Sequence, residues 1–424
     1  MRSLLRERVA GEHARVGFVE LFFDLVFVFA ITQVSHGLLA NLTPMGGLQA
    51  AMLLAAVWWA WVFTSWTTNW LDPERGPVQV ALFVLMAIGL VMSAALPHAF
   101  QDRGLTFALA FVGIQVGRTG FMAWAMSGDR ALYRNALRIA TWLMASGVMW
   151  IAGGLAQPAH RLWFWLAALG VEYASPALYF ALPGLGRSRT EDWTIEGGHM
   201  AERVGLFVII CLGETLLVSG ATFSGLDWSS AAVWAAFASA VLSTVAMWRL
   251  FFSQAHESAA HAIMHSPDPG AMARRAYTYS PILVIAGIIV VAVSDELVLA
   301  HPAGHVSTAA ALTLLGGPIL FLWGTAVASW AIWRRVAWTR LIGCVVLAAG
   351  WLALPWATPL SLSIASTAVL MAIGSGKASP CAAPPSLSDA AQSAFSTKLS
   401  MTRFSPALSK ATSSLLPSIT RTEP

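Results

Sequence analysis

Apolar runs of about twenty residues recur along this chain almost end to end. That length is what an α-helix needs to cross the hydrocarbon core of a bilayer, and a spanning segment must satisfy its own backbone hydrogen bonds there. The runs fall at 18–40, 48–70, 78–96, 105–126, 138–156, 161–181, 202–220, 229–252, 279–300, 307–332, 340–356 and 358–374. The last two are short and separated by little more than Thr358, so ten to twelve spans are expected. Composition agrees: 57% of residues are hydrophobic and 11% charged, against about a quarter charged in soluble domains. The expected fold is therefore all-α, a polytopic transmembrane bundle of about twelve helices. The first run follows an Arg-rich start as a signal peptide would, yet it contains Asp24 and lacks a small-residue cleavage site, which reads as an uncleaved helix.

Orientation follows from the arginines, which concentrate in cytoplasmic loops of membrane proteins. Arg2, Arg6, Arg8, Arg15, Arg75, Arg130, Arg134, Arg187, Arg189, Arg274, Arg275, Arg334 and Arg335 fall on one side of the expected topology, Arg103 and Arg161 on the other. This puts the N-terminus in the cytoplasm, and an even number of spans returns the C-terminus there. Residues 1–17 form a basic cytoplasmic segment and 18–374 the bundle. Residues 375–424, rich in Ser, Ala, Pro and Thr, form a low-complexity tail expected to stay disordered. The net charge of +4 is spread over loops, so nucleic acid is not an expected partner; membrane lipids are. Trp58, Trp59, Trp61, Trp66 and Trp70 read as rings at the headgroup level. Three cysteines without paired spacing indicate neither disulfides nor a zinc site.

An ionisable side chain at mid-depth costs roughly 2.5–3.5 kcal/mol on insertion scales, so each one needs a partner, a hydrated cavity or a purpose. Asp24, Arg118, Glu172 and Glu214 stand inside apolar runs, and His36 lies near the end of the first. One cation among three carboxylates predicts a cluster in which Arg118 neutralises one or two acids. This cluster would either line a transport pathway or lock helix packing. Gly113 and Gly117, flanking Gln115 and preceding Arg118, predict a close helix crossing there. Pro176 and the Gly316-Gly317-Pro318 segment predict broken helices.

His199 and Glu202 have a spacing that suits one metal ion, but no second ligand pair accompanies them, so no metal is expected. Glu202 instead suits the N-terminal dipole of the seventh helix, with Glu191, Asp192 and Glu196 on a solvated loop before it. No nucleophile elbow, Walker loop or dinucleotide motif is present; neither an enzyme nor a cofactor is expected.

The segment Gly17-Phe-Val-Glu20-Leu-Phe-Phe-Asp24-Leu-Val-Phe-Val-Phe-Ala-Ile-Thr32-Gln33 resembles the opening signature of the bacterial low temperature requirement A family. The segment His199-Met-Ala-Glu202-Arg203-Val-Gly205, which runs on to Gly213-Glu214-Thr215, is similar to that family's second block. With the helix count, the resemblance covers roughly residues 10–374. It implies a bacterial multi-pass inner-membrane protein linked by name to growth in the cold, and supplies no reaction or substrate. Glu20 and Glu202, each at the same edge of a signature helix, suggest two parallel six-helix halves, 18–181 and 202–374.

Three functions compete. The first is a secondary transporter or channel-like permease for a small ion or solute, with a carboxylate titrating if transport is proton-coupled. The second is a stress sensor or scaffold in which the same residues only fix packing. The third is a lipid-modifying enzyme built on Glu20, His199, Glu202 and Arg203. Oligomeric state is not legible from the chain.

Overall fold

A computed structural model describes residues 3–6, 16–188, 197–252, 262, 266 and 268–375. The expected disordered tail and Glu191, Asp192 and Glu196 lie outside these residues. The helices are α1 (Phe18–Ala40), α2 (Pro44–Trp70), α3 (Gly76–Ala95), α4 (Gly104–Ala125), α5 (Arg130–Leu155), α6 (Pro158–Ala177), α7 (Gly197–Ser224) and α8 (Ala231–Phe252). They continue with the short α9 (Pro269–Ala273), then α10 (Pro281–Ala300), α11 (Thr308–Trp333), α12 (Trp338–Ala349) and α13 (Pro359–Ser375). Among the described residues, nine helical segments are long and apolar enough to cross a membrane, and Trp338–Ala353 and Pro359–Ser375 are shorter apolar helices. The chain is a multi-pass membrane protein, and no strand occurs among the described residues beyond two isolated bridges.

Helix starts follow local chemistry. Pro44 opens α2 where no amide bond is lost, and the Thr43 hydroxyl accepts from Gly46 N at 3.1 Å. The Asp129 carboxylate accepts from Ala131 N and Leu132 N, so α5 begins at Arg130, well before its apolar stretch. Likewise α7 starts at Gly197, five residues ahead of the apolar run, so Glu202 is not at its N-terminus.

Of the two expected helix breaks one is corrected: Pro318 sits inside a continuous α11, whereas α6 does end one residue past Pro176, followed by Tyr179 and Phe180 in left-handed backbone. A further interruption lies at Arg274–Tyr279, a π-helical turn between α9 and α10. Such turns direct a carbonyl away from the regular ladder. Here Thr278 O accepts from Trp58 Nε1 at 2.7 Å, and Thr278 Oγ1 accepts from Trp66 Nε1 at 2.9 Å.

These indoles correct another expectation. Trp58, Trp59 and Trp61 are no more than 1% exposed and form the centre of the bundle, not its rim. Rings such as Trp163, Trp338 and Trp356 face outward instead.

α1 packs on α2 and α3, α3 on α4, α4 on α5, α5 on α6, and α2 on α6. α7 packs on α8 and α10, α10 on α11, α11 on α12, α12 on α13, and α8 on α13. The order of neighbours in the second set thus repeats that of the first, and α1 and α2 meet α7 and α10 between them.

The close approach expected at Gly113 and Gly117 is absent, since a Cβ would meet only Ile88 at 3.7 Å in the first case and nothing within 4 Å in the second. Backbones come together instead between α10 and α11, at Gly287, Gly317 and Gly324. Gly104 leaves room for Arg161, a loop residue by sequence but buried here. Its guanidinium donates to the carbonyls of Ala99, Gln101, Gly153, Gly154 and Ala156, and so closes the C-terminal end of α5.

Candidate functional site

The densest polar centre lies where α1, α2 and α7 meet, at the end of the bundle that carries the chain's N-terminal segment. Leu5 bridges to Leu71, with Arg6 N donating to Trp70 O at 2.9 Å and Asp72 N to Leu4 O at 3.0 Å. This bridge carries Arg6 over the start of α1. Glu20 Oε2 accepts from Gly17 N at 2.9 Å, so one carboxylate oxygen caps the helix on which it stands.

Four residues apart on α1, Glu20 and Asp24 share a face, as do His199 and Arg203 on α7. The two faces meet. Arg203 Nη1 donates to Glu20 Oε1 at 2.8 Å, and Arg203 Nη2 to Asp24 Oδ1 at 2.7 Å. His199 Nε2 lies 3.0 Å from Glu20 Oε1, and Arg6 Nη2 lies 3.5 Å from Glu20 Oε2. From α2, Trp61 Nε1 donates to Asp24 Oδ1 at 2.8 Å, and Asn69 Nδ2 approaches His199 Nδ1 at 3.3 Å.

All four side chains of the α1 and α7 pairs are 0% exposed. Two carboxylates face two guanidiniums, so the centre is neutral when His199 is uncharged. Short charge-assisted bonds of this kind are what makes such burial tolerable. Behind it stand rings: Arg203 Cζ lies 5.6 Å from the Trp61 ring, and Trp61 and Trp58 lie 4.3 and 5.6 Å from Phe207.

Both sequence segments singled out above thus converge on one contact. The profile of the family described as bacterial low temperature requirement A protein (LtrA) matches residues 15–375. The chain belongs to this family. A protein of Rhizobium meliloti (strain 1021), itself described as uncharacterized, is 38% identical over 364 residues, 85% of this chain and 88% of that protein. No solved structure matches the chain.

The LtrA charge centre corrects the expected cluster. Asp24 pairs with Arg203, not with Arg118. Among the described residues Arg118 makes no close ion pair, but Glu172, one of the acids expected beside it, faces its charge across a longer gap. Arg118 Nη1 donates to Ala60 O at 3.3 Å and Thr64 Oγ1 at 3.5 Å, its Nη2 is buried without a partner, and its Cζ lies 5.3 Å from the Phe63 ring. Glu172 has its own cradle of neutral donors on α4 and α5. Ser146 Oγ and Trp150 Nε1 donate to Oε1 at 2.7 and 2.9 Å, and Gln115 Nε2 donates to Oε2 at 3.1 Å. Glu214, about 22 Å along α7 from His199, belongs to neither group.

His36 is exposed at the far end of α1, on the side of Glu296 of α10. Glu202 is also exposed and accepts from Val16 N at 3.3 Å, so it points away from His199. The pair therefore does not converge on one metal, and no group of three His, Cys, Asp or Glu suited to a metal ion occurs among the described residues. Sequence reasoning passes over Asp295 on α10, 3% exposed, although its place within an apolar run signals it as clearly as Asp24.

Proposed function

We propose that this LtrA protein is a permease for a small ion or solute, in which the α1–α7 contact is a closed gate. All twelve apolar segments cross the bacterial inner membrane in this reading, with both termini in the cytoplasm. The observation that carries it is the fully buried charge centre joining α1 to α7, backed by the Trp58, Trp61 and Phe207 rings. Salt bridges and rings in series exchange partners when helices move, whereas a purely apolar seam has no second arrangement to favour. The repeated order of neighbours in α1–α6 and α7–α13 supports two six-helix halves that can tilt about that contact.

The test is flux in proteoliposomes. Gradients of Na⁺, K⁺, H⁺ or Cl⁻ should dissipate several-fold faster than in protein-free vesicles, and Asp24→Asn should change the rate. Absence of flux for every ion at several pH values and voltages would sink the permease. It would favour the second reading, a packing lock, to which the mutual satisfaction of Glu20, Asp24 and Arg203 is also suited.

Topology is a separate expectation. Reporter fusions after Arg75, Gly128 and Arg335 should all read cytoplasmic, because the arginines crowd the loops at that end. A periplasmic reading at two of these sites would reverse the orientation.

A further inference from the structure

The N-terminal segment lies against the charge centre. Residues 4–6 run antiparallel to the end of α2, with Arg6 N donating to Trp70 O at 2.9 Å, Asp72 N to Leu4 O at 3.0 Å, and Leu5 opposite Leu71 between these bonds. Leu4 and Leu5 pack on the core, and the Arg6 side chain, 9% exposed, reaches both Glu20 and His199. Arg6 holds Glu20 at 3.5 Å where Arg203 holds it at 2.8 Å, and Arg6 Nε is buried without a partner. Of the two guanidiniums on this carboxylate, that of Arg6 is the looser.

Three atoms form a triangle there. Arg6 Nη2 lies 3.5 Å from Glu20 Oε2 and 3.4 Å from His199 Nε2, and His199 Nε2 lies 3.2 Å from the same Glu20 oxygen. As the neutral Nε2–H tautomer, His199 donates to Glu20 and accepts at Nδ1 from Asn69 Nδ2, so both ring nitrogens are satisfied. A second proton makes the ring a cation 3.4 Å from a guanidinium, in a buried site where repulsion is little screened. Charge counting agrees. With Arg6 seated, Glu20 and Asp24 balance Arg6 and Arg203; with Arg6 withdrawn, they balance Arg203 and a protonated His199. Each arrangement is neutral, and the two exclude one another.

Other described charges on the packed elements are engaged or distant. Arg203, one turn along α7, bonds Glu20 and Asp24, and Glu202 accepts from Val16 N. α2 offers His199 the neutral Asn69, and Asp72 beyond its end pairs with Arg75. Arg249 of α8 donates to Gly374 O, Arg274 lies over the Tyr179 ring, and Arg275 is exposed. Asp295 and Glu296 stand at the end of α10 that faces His36. We propose that residues 3–6 form a strap over the α1–α7 contact that acid releases, because Arg6 and a proton on His199 compete for Glu20. The strap stands on its own geometry; its purpose, sealing the gate at neutral pH and freeing it in acid, rests on the permease reading.

The experiment follows the strap directly. A spin label is attached at Ser3→Cys in the full chain, with Cys211, Cys344 and Cys381 changed to alanine. Its mobility is read by electron paramagnetic resonance in detergent between about pH 8 and about pH 5, the range in which histidine titrates. The ratio of seated to lifted strap should fall by up to about tenfold per pH unit on acidification, the slope of one proton. His199→Gln should keep the strap seated throughout, since that side chain cannot charge. Arg6→Gln should remove the pH dependence, since no guanidinium is left to repel. His36→Gln, at the exposed far end of α1, should retain it.

A cross-link separates strap motion from unfolding. Leu5 and Leu71 form the narrow kind of antiparallel pair, with Cα atoms about 4.5 Å apart and within disulfide reach. Leu5→Cys with Leu71→Cys, oxidised before the label is attached and verified by peptide mapping, should keep the label immobile in acid, and reduction should restore release. If one substitution at His199 or Arg6 fails to elute as a single species, the other and the cross-link still decide. Release in acid without flux of any ion upholds the strap and sinks the permease; flux through a chain whose strap stays seated at every pH does the reverse. A label whose mobility ignores pH, a transition that survives His199→Gln or Arg6→Gln, or one that persists in the oxidised cross-link would overturn the proposal.

Discussion

Replacing Arg203 with alanine is expected to destabilise the protein by about 3–5 kcal/mol, the cost of leaving buried charge without its partner. One guanidinium holds two carboxylates through separate nitrogens, at 2.8 Å to Glu20 and 2.7 Å to Asp24. Its removal does not affect the two acids equally. Glu20 keeps His199, Arg6, Gly17 N and the Thr68 hydroxyl, whereas among the described residues Asp24 keeps only the indole of Trp61. Coupling in a double-mutant cycle should therefore be larger for Arg203 with Asp24 than for Arg203 with Glu20. Adding Asp24→Asn to Arg203→Ala should recover part of the loss. Arg203→Lys should not rescue, because a single ammonium does not reproduce the two-armed geometry. Melting temperature and monodisperse yield in detergent read the result. Additive losses for Arg203 with both acids, or strong coupling of Asp24 to Arg118 instead, would overturn the assignment.

That pairing marks where reading the sequence succeeds and where it stops. Asp24 and Glu214, like Arg118 and Glu172, stand out because acids and bases are expensive in apolar helices, whereas Glu20, His199 and Arg203 stand out only as edge residues of the two signature segments. Their identities are visible in one chain. Which acid meets which base is not, since it depends on where each helix starts and which helices are neighbours. With the seventh helix begun at residue 202, Arg203 belongs to the membrane edge. With α7 begun at Gly197, the same arginine lies more than a turn inside the bundle and level with Asp24.

Arg161 changes place for a similar reason: a basic residue after a Pro reads as loop, but here it is the cap of a neighbouring helix end. Tryptophans fall to the same ambiguity. Trp66 and Trp70 near the end of the run 48–70 suit the interface, but Trp58 and Trp61 stand at its middle, where their partners Thr278 and Asp24 hold them as interior groups. Apolar periodicity gives the helices; the polar contacts between them carry the information that one sequence lacks.

The glycines test this point most directly, because sequence and structure select different ones. A Cβ at Gly287 would fall on Phe321 N, and one at Gly324 would fall 2.6 Å from Val284 N. Backbone atoms cannot swing aside as a side chain can, so an added methyl must push α10 and α11 apart along their whole contact. Overpacking of this kind costs about 1–3 kcal/mol even where side chains can yield, so Gly287→Ala and Gly324→Ala are expected at or beyond the upper end.

A methyl at Gly316, close before Pro318 on α11, would meet nothing within 4 Å, and Gly117 on α4 is equally open. Alanine at those two sites should be neutral, or stabilising by up to about 1 kcal/mol through helix propensity. Thermal melts of the four variants in one detergent separate the cases. If Gly287→Ala melts with Gly316→Ala, the α10–α11 contact is looser than these distances imply, and helix separation there costs little. If Gly117→Ala instead proves the damaging change, the tight crossing belongs to α4, where the spacing of its glycines first suggests it.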